Sequence, residues 1–109
     1  MSCEHNDDDE LRWEAVGKAA DWTDDQGRVV AIGARRIAVF KHQAGWYALK
    51  DSCPHANLPI ADGAVSGGAV TCPFHGWTFD LATGAGPGDS KVACYPVRER
   101  DDGMIEVGV

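Results

Sequence analysis

Two short segments decide how this chain folds: Cys53-Pro54-His55 and Cys72-Pro73-Phe74-His75-Gly76-Trp77. Together they place two cysteines and two histidines in the order C-x-H and C-x-x-H, with 16 residues (56–71) between the pairs. Two thiolates and two imidazoles suit a tetrahedral zinc site, and they equally suit a [2Fe-2S] cluster with two ligands on each iron. The residue types therefore indicate a metal centre and leave its metal open.

The order of the ligands favours the cluster over zinc. Structural zinc sites usually take their cysteines as one closely spaced pair and their histidines as another. Here each segment supplies one cysteine and one histidine. That mixture suits a site in which each loop gives one ligand to each of two irons, both thiolates to one and both imidazoles to the other.

In this arrangement the sequence resembles the Rieske iron–sulfur family, whose motif is C-x-H followed at about this distance by C-x-x-H. The resemblance implies one [2Fe-2S] cluster, with Cys53 and Cys72 on the buried iron and His55 and His75 on the exposed iron. It extends beyond the ligands to residues 53–59, 62–63 and 76–84, and more loosely from about residue 28 to the end.

Short runs of β-forming residues, separated by glycine and aspartate turns, predict the fold. They fall at residues 11–16, 28–32, 36–40, 46–49, 69–71, 77–81, 91–97 and 104–107. Hairpin turns are expected at Gly33-Ala34 and Asp102-Gly103, whereas residues 16–25 fit no single element. We predict an all-β antiparallel sandwich or barrel-like domain, with the cluster held by two loops at one end.

The charge of the chain is concentrated at its beginning. Residues 1–26 hold nine acids and two bases, and residues 27–109 hold eight of each, so the net charge of −7 belongs to the first quarter. We expect an acidic, flexible segment at 1–10 and a single domain at 11–109. A nucleic-acid partner is not expected, because no basic patch could neutralise phosphates. No run of about 18 apolar residues predicts a membrane span, and a cytoplasmic location is expected.

Two positions after the second ligand segment bear on the reduction potential. In high-potential respiratory Rieske proteins, the second and fourth residues after this histidine are a serine and a tyrosine whose hydroxyls donate to the cluster. Here these positions are Trp77 and Phe79, and neither carries a hydroxyl. The resemblance therefore predicts a potential near the low end of the Rieske range of about −150 to +300 mV.

The resemblance implies a soluble carrier that passes single electrons from a flavin reductase to a terminal oxidoreductase. Segments 37–40, 76–84 and 95–98 look most like the small subunit of assimilatory nitrite reductases, whose partner is a sirohaem subunit. The ferredoxin component of ring-hydroxylating dioxygenases, whose partner is a Rieske oxygenase, is the alternative. Catalysis by this chain alone is not expected, because only His5 and His42 remain for a mononuclear iron site. A zinc-stabilised, redox-silent interaction module is the alternative of another class.

Several conspicuous residues outside the motif are expected to have ordinary structural roles. His42, at a strand end, and His5, in the acidic segment, are predicted to be surface residues rather than ligands. Asp24-Asp25 is predicted to be a solvated turn. Cys94 lies in an apolar run, which predicts an inert buried thiol.

Overall fold

Ten short strands in three antiparallel sheets make up the part of the chain that the computed structural model describes, which is residues 12–43, 45–52, 59–73, 76–88 and 90–109. The strands are β1 Trp13–Lys18, β2 Gln26–Ile32, β3 Arg35–His42, β4 Gly45–Lys50, β5 Ala64–Ser66, β6 Ala69–Thr71, β7 Thr78–Asp80, β8 Cys94–Tyr95, β9 Val97–Glu99 and β10 Met104–Gly108. Within these ranges the only helical element is a 3-10 helix at Ala19–Asp21. The prediction of an all-β antiparallel fold is confirmed.

The three sheets differ in how far apart their strands lie in the sequence. The second sheet has the order β2-β3-β4-β8, and the third has β5-β6-β7, so most of their neighbours are consecutive and joined by short turns. The first sheet has the order β1-β10-β9 and pairs the first described strand with the last. This long-range pairing closes the domain.

The hairpin predicted at Gly33-Ala34 is present. Strands β2 and β3 pair in unbroken register from Gln26↔Lys41 to Ile32↔Arg35. Gly33 has a φ of 60°, which glycine adopts without the steric cost of a Cβ atom. Two β-forming runs and a turn residue between them are sufficient to predict this element.

The predicted final hairpin is only partly correct. The expected strand at 91–97 is divided at Pro96: Cys94–Tyr95 pairs with β4 in the second sheet, and Val97–Glu99 pairs with β10 in the first. Proline has no N–H to donate, so it cannot continue a ladder on both sides. The carbonyl of Pro96 accepts the N–H of Gly108 at 2.9 Å, and the chain crosses here from one sheet to the other.

Strand β3 is buried on both faces, and this places the second sheet between the other two. Ala38 and Phe40 join a first core, together with Val70 and Phe79 of the third sheet. The alternate residues of β3 join a second core, which includes Ile105 and Val107 of β10. Because neighbouring strand residues point to opposite faces, each face of the second sheet covers a different partner sheet.

Two further predictions concern the acidic first segment and the lack of a membrane span. The acidic segment 1–10 falls outside the described residues. Within the described ranges no helix has the length and apolar character needed to cross a bilayer.

Candidate metal centre

The structure describes one of the four predicted ligands, Cys72, and the segments that lead into and out of both ligand loops. Cys53, His55 and His75 lie outside the described residues, so their assignment as ligands remains a prediction.

The second ligand loop is the turn of a β-hairpin. Strands β6 and β7 pair antiparallel up to Thr71↔Thr78. Beyond that pair the N–H of Cys72 donates to the carbonyl of Trp77 at 2.6 Å, and the N–H of Gly76 donates to the carbonyl of Cys72 at 3.0 Å. These bonds place Cys72 at the end of a hydrogen-bonded ladder, where its backbone is fixed.

Gly76 allows this loop to close because of its backbone conformation. Its φ is 73°, and no atom lies within 4 Å of the position that a Cβ would take. Space is therefore available for a side chain, but the left-handed backbone is one that glycine adopts most easily. The geometry therefore supports a conformational role for the glycine beside His75, rather than a close approach of another group.

Cys72 is a free thiol enclosed by apolar side chains. Its exposed fraction is 1%, and it belongs to the first core. Phe79 is a member of the same core, and the partly buried Trp77 packs against it. A buried sulfur at the end of a rigid hairpin is shielded from water.

The prediction of an inert buried thiol at Cys94 is wrong, because β8 is a two-residue edge strand, and Cys94 is half-buried and disulfide-bonded.

Asp51 joins the two ends of the first ligand loop. Its Oδ1 atom accepts the N–H groups of Ile60 and Ala61, each at 2.9 Å, and its own N–H donates to the carbonyl of Arg36 at 3.0 Å. The chain thus leaves β4 and returns to the same carboxylate. Asp51 is not predicted from the sequence, where its only signal is its position two residues before Cys53.

The two ligand loops are neighbours through Gly63. The N–H of Gly63 donates to the carbonyl of Ile60 at 2.9 Å, which turns the returning chain toward the third sheet. A Cβ at Gly63 would overlap the carbonyl oxygen of Thr71, the residue before Cys72. The end of the first loop therefore packs directly against the strand that leads into the second loop.

His42 is buried, which corrects the prediction that it is a surface residue. Its exposed fraction is 4%, its Nδ1 lies 2.5 Å from Oδ1 of Asp25, and its Nε2 accepts the N–H of Gly68 at 3.0 Å. The end of β3 lies beneath the turn between β5 and β6, so the imidazole is covered by a distant part of the chain. The bond from Gly68 fastens the third sheet to the second, and the contact with Asp25 holds the imidazole against the turn before β2.

The one predicted ligand that the structure describes, Cys72, and the residues around it fit the predicted metal centre. No group of three or more His, Cys, Asp or Glu side chains within the described ranges is placed to hold a metal ion, since three of the predicted donors lie outside them. The fourth, Cys72, is a free and shielded thiol beside the return of the first loop. A mixed donor set of two thiolates and two imidazoles would match a [2Fe-2S] cluster at this position.

Comparison with known proteins identifies the domain family of the chain. A sequence profile described as the Rieske [2Fe-2S] domain matches residues 12–96. The anthranilate 1,2-dioxygenase ferredoxin subunit of Burkholderia cepacia is 34% identical over 100 residues, which cover 89% of this chain and 92% of that subunit.

Two solved structures have the same fold. One is a chain in a complex of reduced oxygenase and oxidized ferredoxin from carbazole 1,9a-dioxygenase, with a TM-score of 0.79, 29% identity and coverage of 87% of this chain and 91% of that chain. The other, from Mycobacterium tuberculosis, is described as an NADH-dependent nitrite reductase small subunit. Its TM-score is 0.84 with coverage of 91% and 96%, but at 21% identity the likeness shows the fold alone.

Proposed function

The chain belongs to the Rieske [2Fe-2S] domain family, and from that premise we propose that it carries single electrons from a flavin reductase to a ring-hydroxylating oxygenase. It is a ferredoxin-like electron-transfer domain with one [2Fe-2S] cluster and redox proteins as partners. One observation supports the choice of an oxygenase as acceptor: the 34% identity with a dioxygenase ferredoxin subunit extends over 92% of that subunit.

The proposed ligands are Cys53, His55, Cys72 and His75. When bound, the cluster accepts and releases one electron. The residues of the chain hold it and limit its rearrangement: the ladder bond between Cys72 and Trp77 fixes one thiolate, and the surrounding core excludes water from the sulfur. Rigid supports reduce the reorganisation that accompanies electron transfer.

A low reduction potential is expected from the residues that follow the second ligand segment. Phe79 is fully buried in the first core, and neither Phe79 nor Trp77 has a hydroxyl to donate to the electron-rich reduced cluster. We expect a midpoint potential near the low end of the range of about −150 to +300 mV in a potentiometric titration followed by visible absorbance. A midpoint above about +100 mV would contradict this reading.

The choice of acceptor is tested by single-turnover mixing. The reduced protein is mixed with a Rieske oxygenase from a ring-hydroxylating system or with the sirohaem subunit of a nitrite reductase, and the cluster absorbance is followed. We expect reoxidation by the oxygenase at a rate that rises with its concentration, and no such dependence with the sirohaem subunit. The reverse result would reject the oxygenase and favour the second candidate.

That second candidate is the small subunit of an assimilatory nitrite reductase. It is supported by the resemblance of segments 37–40, 76–84 and 95–98 to such subunits. The structural likeness to the Mycobacterium tuberculosis protein, at 21% identity, concerns the fold and adds no support for this function. A zinc-stabilised interaction module is not favoured, because the family match covers the whole of both ligand segments. A cytoplasmic location remains a prediction.

A further inference from the structure

Asp51 places a buried carboxylate at the neck of the first ligand loop. The exposed fraction of its side chain is 0%, and its Oδ1 atom accepts two backbone N–H groups from the returning chain. A single carbonyl oxygen could accept the same two bonds. The hydrogen bonds alone therefore explain why an acceptor is needed here, but they do not explain why the side chain is an acid.

The second carboxylate oxygen of Asp51 is poorly compensated. Oδ2 is buried and has no hydrogen-bond partner among the described residues. The nearest opposite charge is the guanidinium of Arg36, whose Nη2 lies 3.8 Å away and whose side chain is 67% exposed. Because solvent screens an exposed guanidinium more than a buried carboxylate, part of the negative field of Asp51 remains inside the protein.

This field lies close to the first ligand segment along the chain. Asp51 precedes Cys53 by two residues, and two peptide units span at most about 7.6 Å between α-carbons. Reduction adds one negative charge to a [2Fe-2S] cluster. A fixed negative charge near the cluster therefore opposes reduction, and a nearby positive charge favours it.

We propose that Asp51 is a positioning residue that joins the ends of the first ligand loop and also lowers the reduction potential through its fixed charge, with Arg36 partly offsetting that charge. This inference rests on the proposed electron-transfer function. It adds a charge pair to the missing hydroxyls at Trp77 and Phe79 as a cause of low potential. Neither residue is a proposed ligand, and the pair acts on the cluster through its electric field.

Neutral variants test the proposal by the direction of the shift. Asp51→Asn keeps one carbonyl acceptor and removes the negative charge, so it should raise the equilibrium constant for reduction. Arg36→Gln removes the positive charge and should lower it. For the buried charge of Asp51, taken as about 10 Å from the redox centre at an effective dielectric constant of about 20, the change is roughly tenfold, or about 59 mV for one electron. The exposed charge of Arg36 is screened by solvent, so its removal should change the equilibrium by less.

Arg35→Gln is the matched control. It removes the same charge from the adjacent residue of β3, whose side chain points to the opposite face of the strand. We expect the potential of this variant to equal that of the wild type. The shift caused by Arg36→Gln should also decrease at high salt, because its exposed charge is screened.

The outcomes separate this inference from the proposed function. Opposite shifts for the two variants would support it, and the Arg36→Gln and Arg35→Gln pair carries the test if Asp51→Asn does not fold. Two results would overturn this inference alone, provided that the wild-type protein holds its cluster. One is an equal potential in Arg36→Gln and Arg35→Gln, and the other is a shift of the same sign in Asp51→Asn and Arg36→Gln. A wild-type protein without a cluster would overturn both.

Discussion

Replacing Cys72 with serine is expected to remove the cluster from the protein. Cys72 is 1% exposed and its backbone is fixed at the end of the β6–β7 ladder, so no neighbouring side chain can take its place without rebuilding the hairpin. Since even outer-sphere substitutions lower metal affinity about 10- to 100-fold, loss of a direct ligand should leave less than about a tenth of the wild-type iron.

The same substitution should also destabilise the fold. Metal binding contributes to folding free energy wherever the site does not exist in the unfolded chain. We therefore expect the urea midpoint of Cys72→Ser to fall together with its iron and sulfide content. A Cys72→Ser protein with full iron and sulfide would contradict the assignment.

Replacing Phe79 with alanine is expected to destabilise the fold strongly while leaving the ligands intact. Phe79 is fully buried, lies opposite Val70 on the β6–β7 hairpin, and joins the third sheet to the second through the first core. Truncating a buried phenylalanine costs about 3–5 kcal/mol. That is a large part of the roughly 5–15 kcal/mol that stabilises a domain.

Because β7 leaves the second ligand loop directly, Phe79→Ala should also release iron faster than the wild type during dilution into chelator. Val29→Ala is the matched control for loss of apolar volume. Val29 is 44% exposed on an edge strand, so its truncation should change the free energy of unfolding by less than about 0.5 kcal/mol. Equal unfolding free energies for the two variants would show that the first core does not support the hairpin.

The parts of the fold that sequence could predict are those with local causes. The β2–β3 hairpin follows from the two β-forming runs on either side of Gly33-Ala34, and the ligand segments follow from residue order and spacing. The division of the last predicted strand at Pro96 depends on two sheets competing for consecutive residues. That competition is a tertiary effect: Pro96 marks a break within residues 91–97, but which sheet each half joins depends on distant strands.

The supports of the site were missed for the same reason. Asp51 is buried by residues nine and ten positions later, and its opposite charge lies on β3. His42 contacts Asp25 and Gly68, which are 17 and 26 residues away. A polar residue in a short strand or loop is most simply predicted to face solvent. Only the packing of distant segments shows that these two groups are buried.

Electron paramagnetic resonance after dithionite reduction, together with iron, sulfide and zinc analysis, tests the central claim most directly. The account predicts a rhombic signal of low average g, with two irons and two sulfides per chain, as a Rieske [2Fe-2S] cluster requires. A silent spectrum with one zinc per chain would contradict it, because the four ligands would then be structural and the chain could not carry electrons.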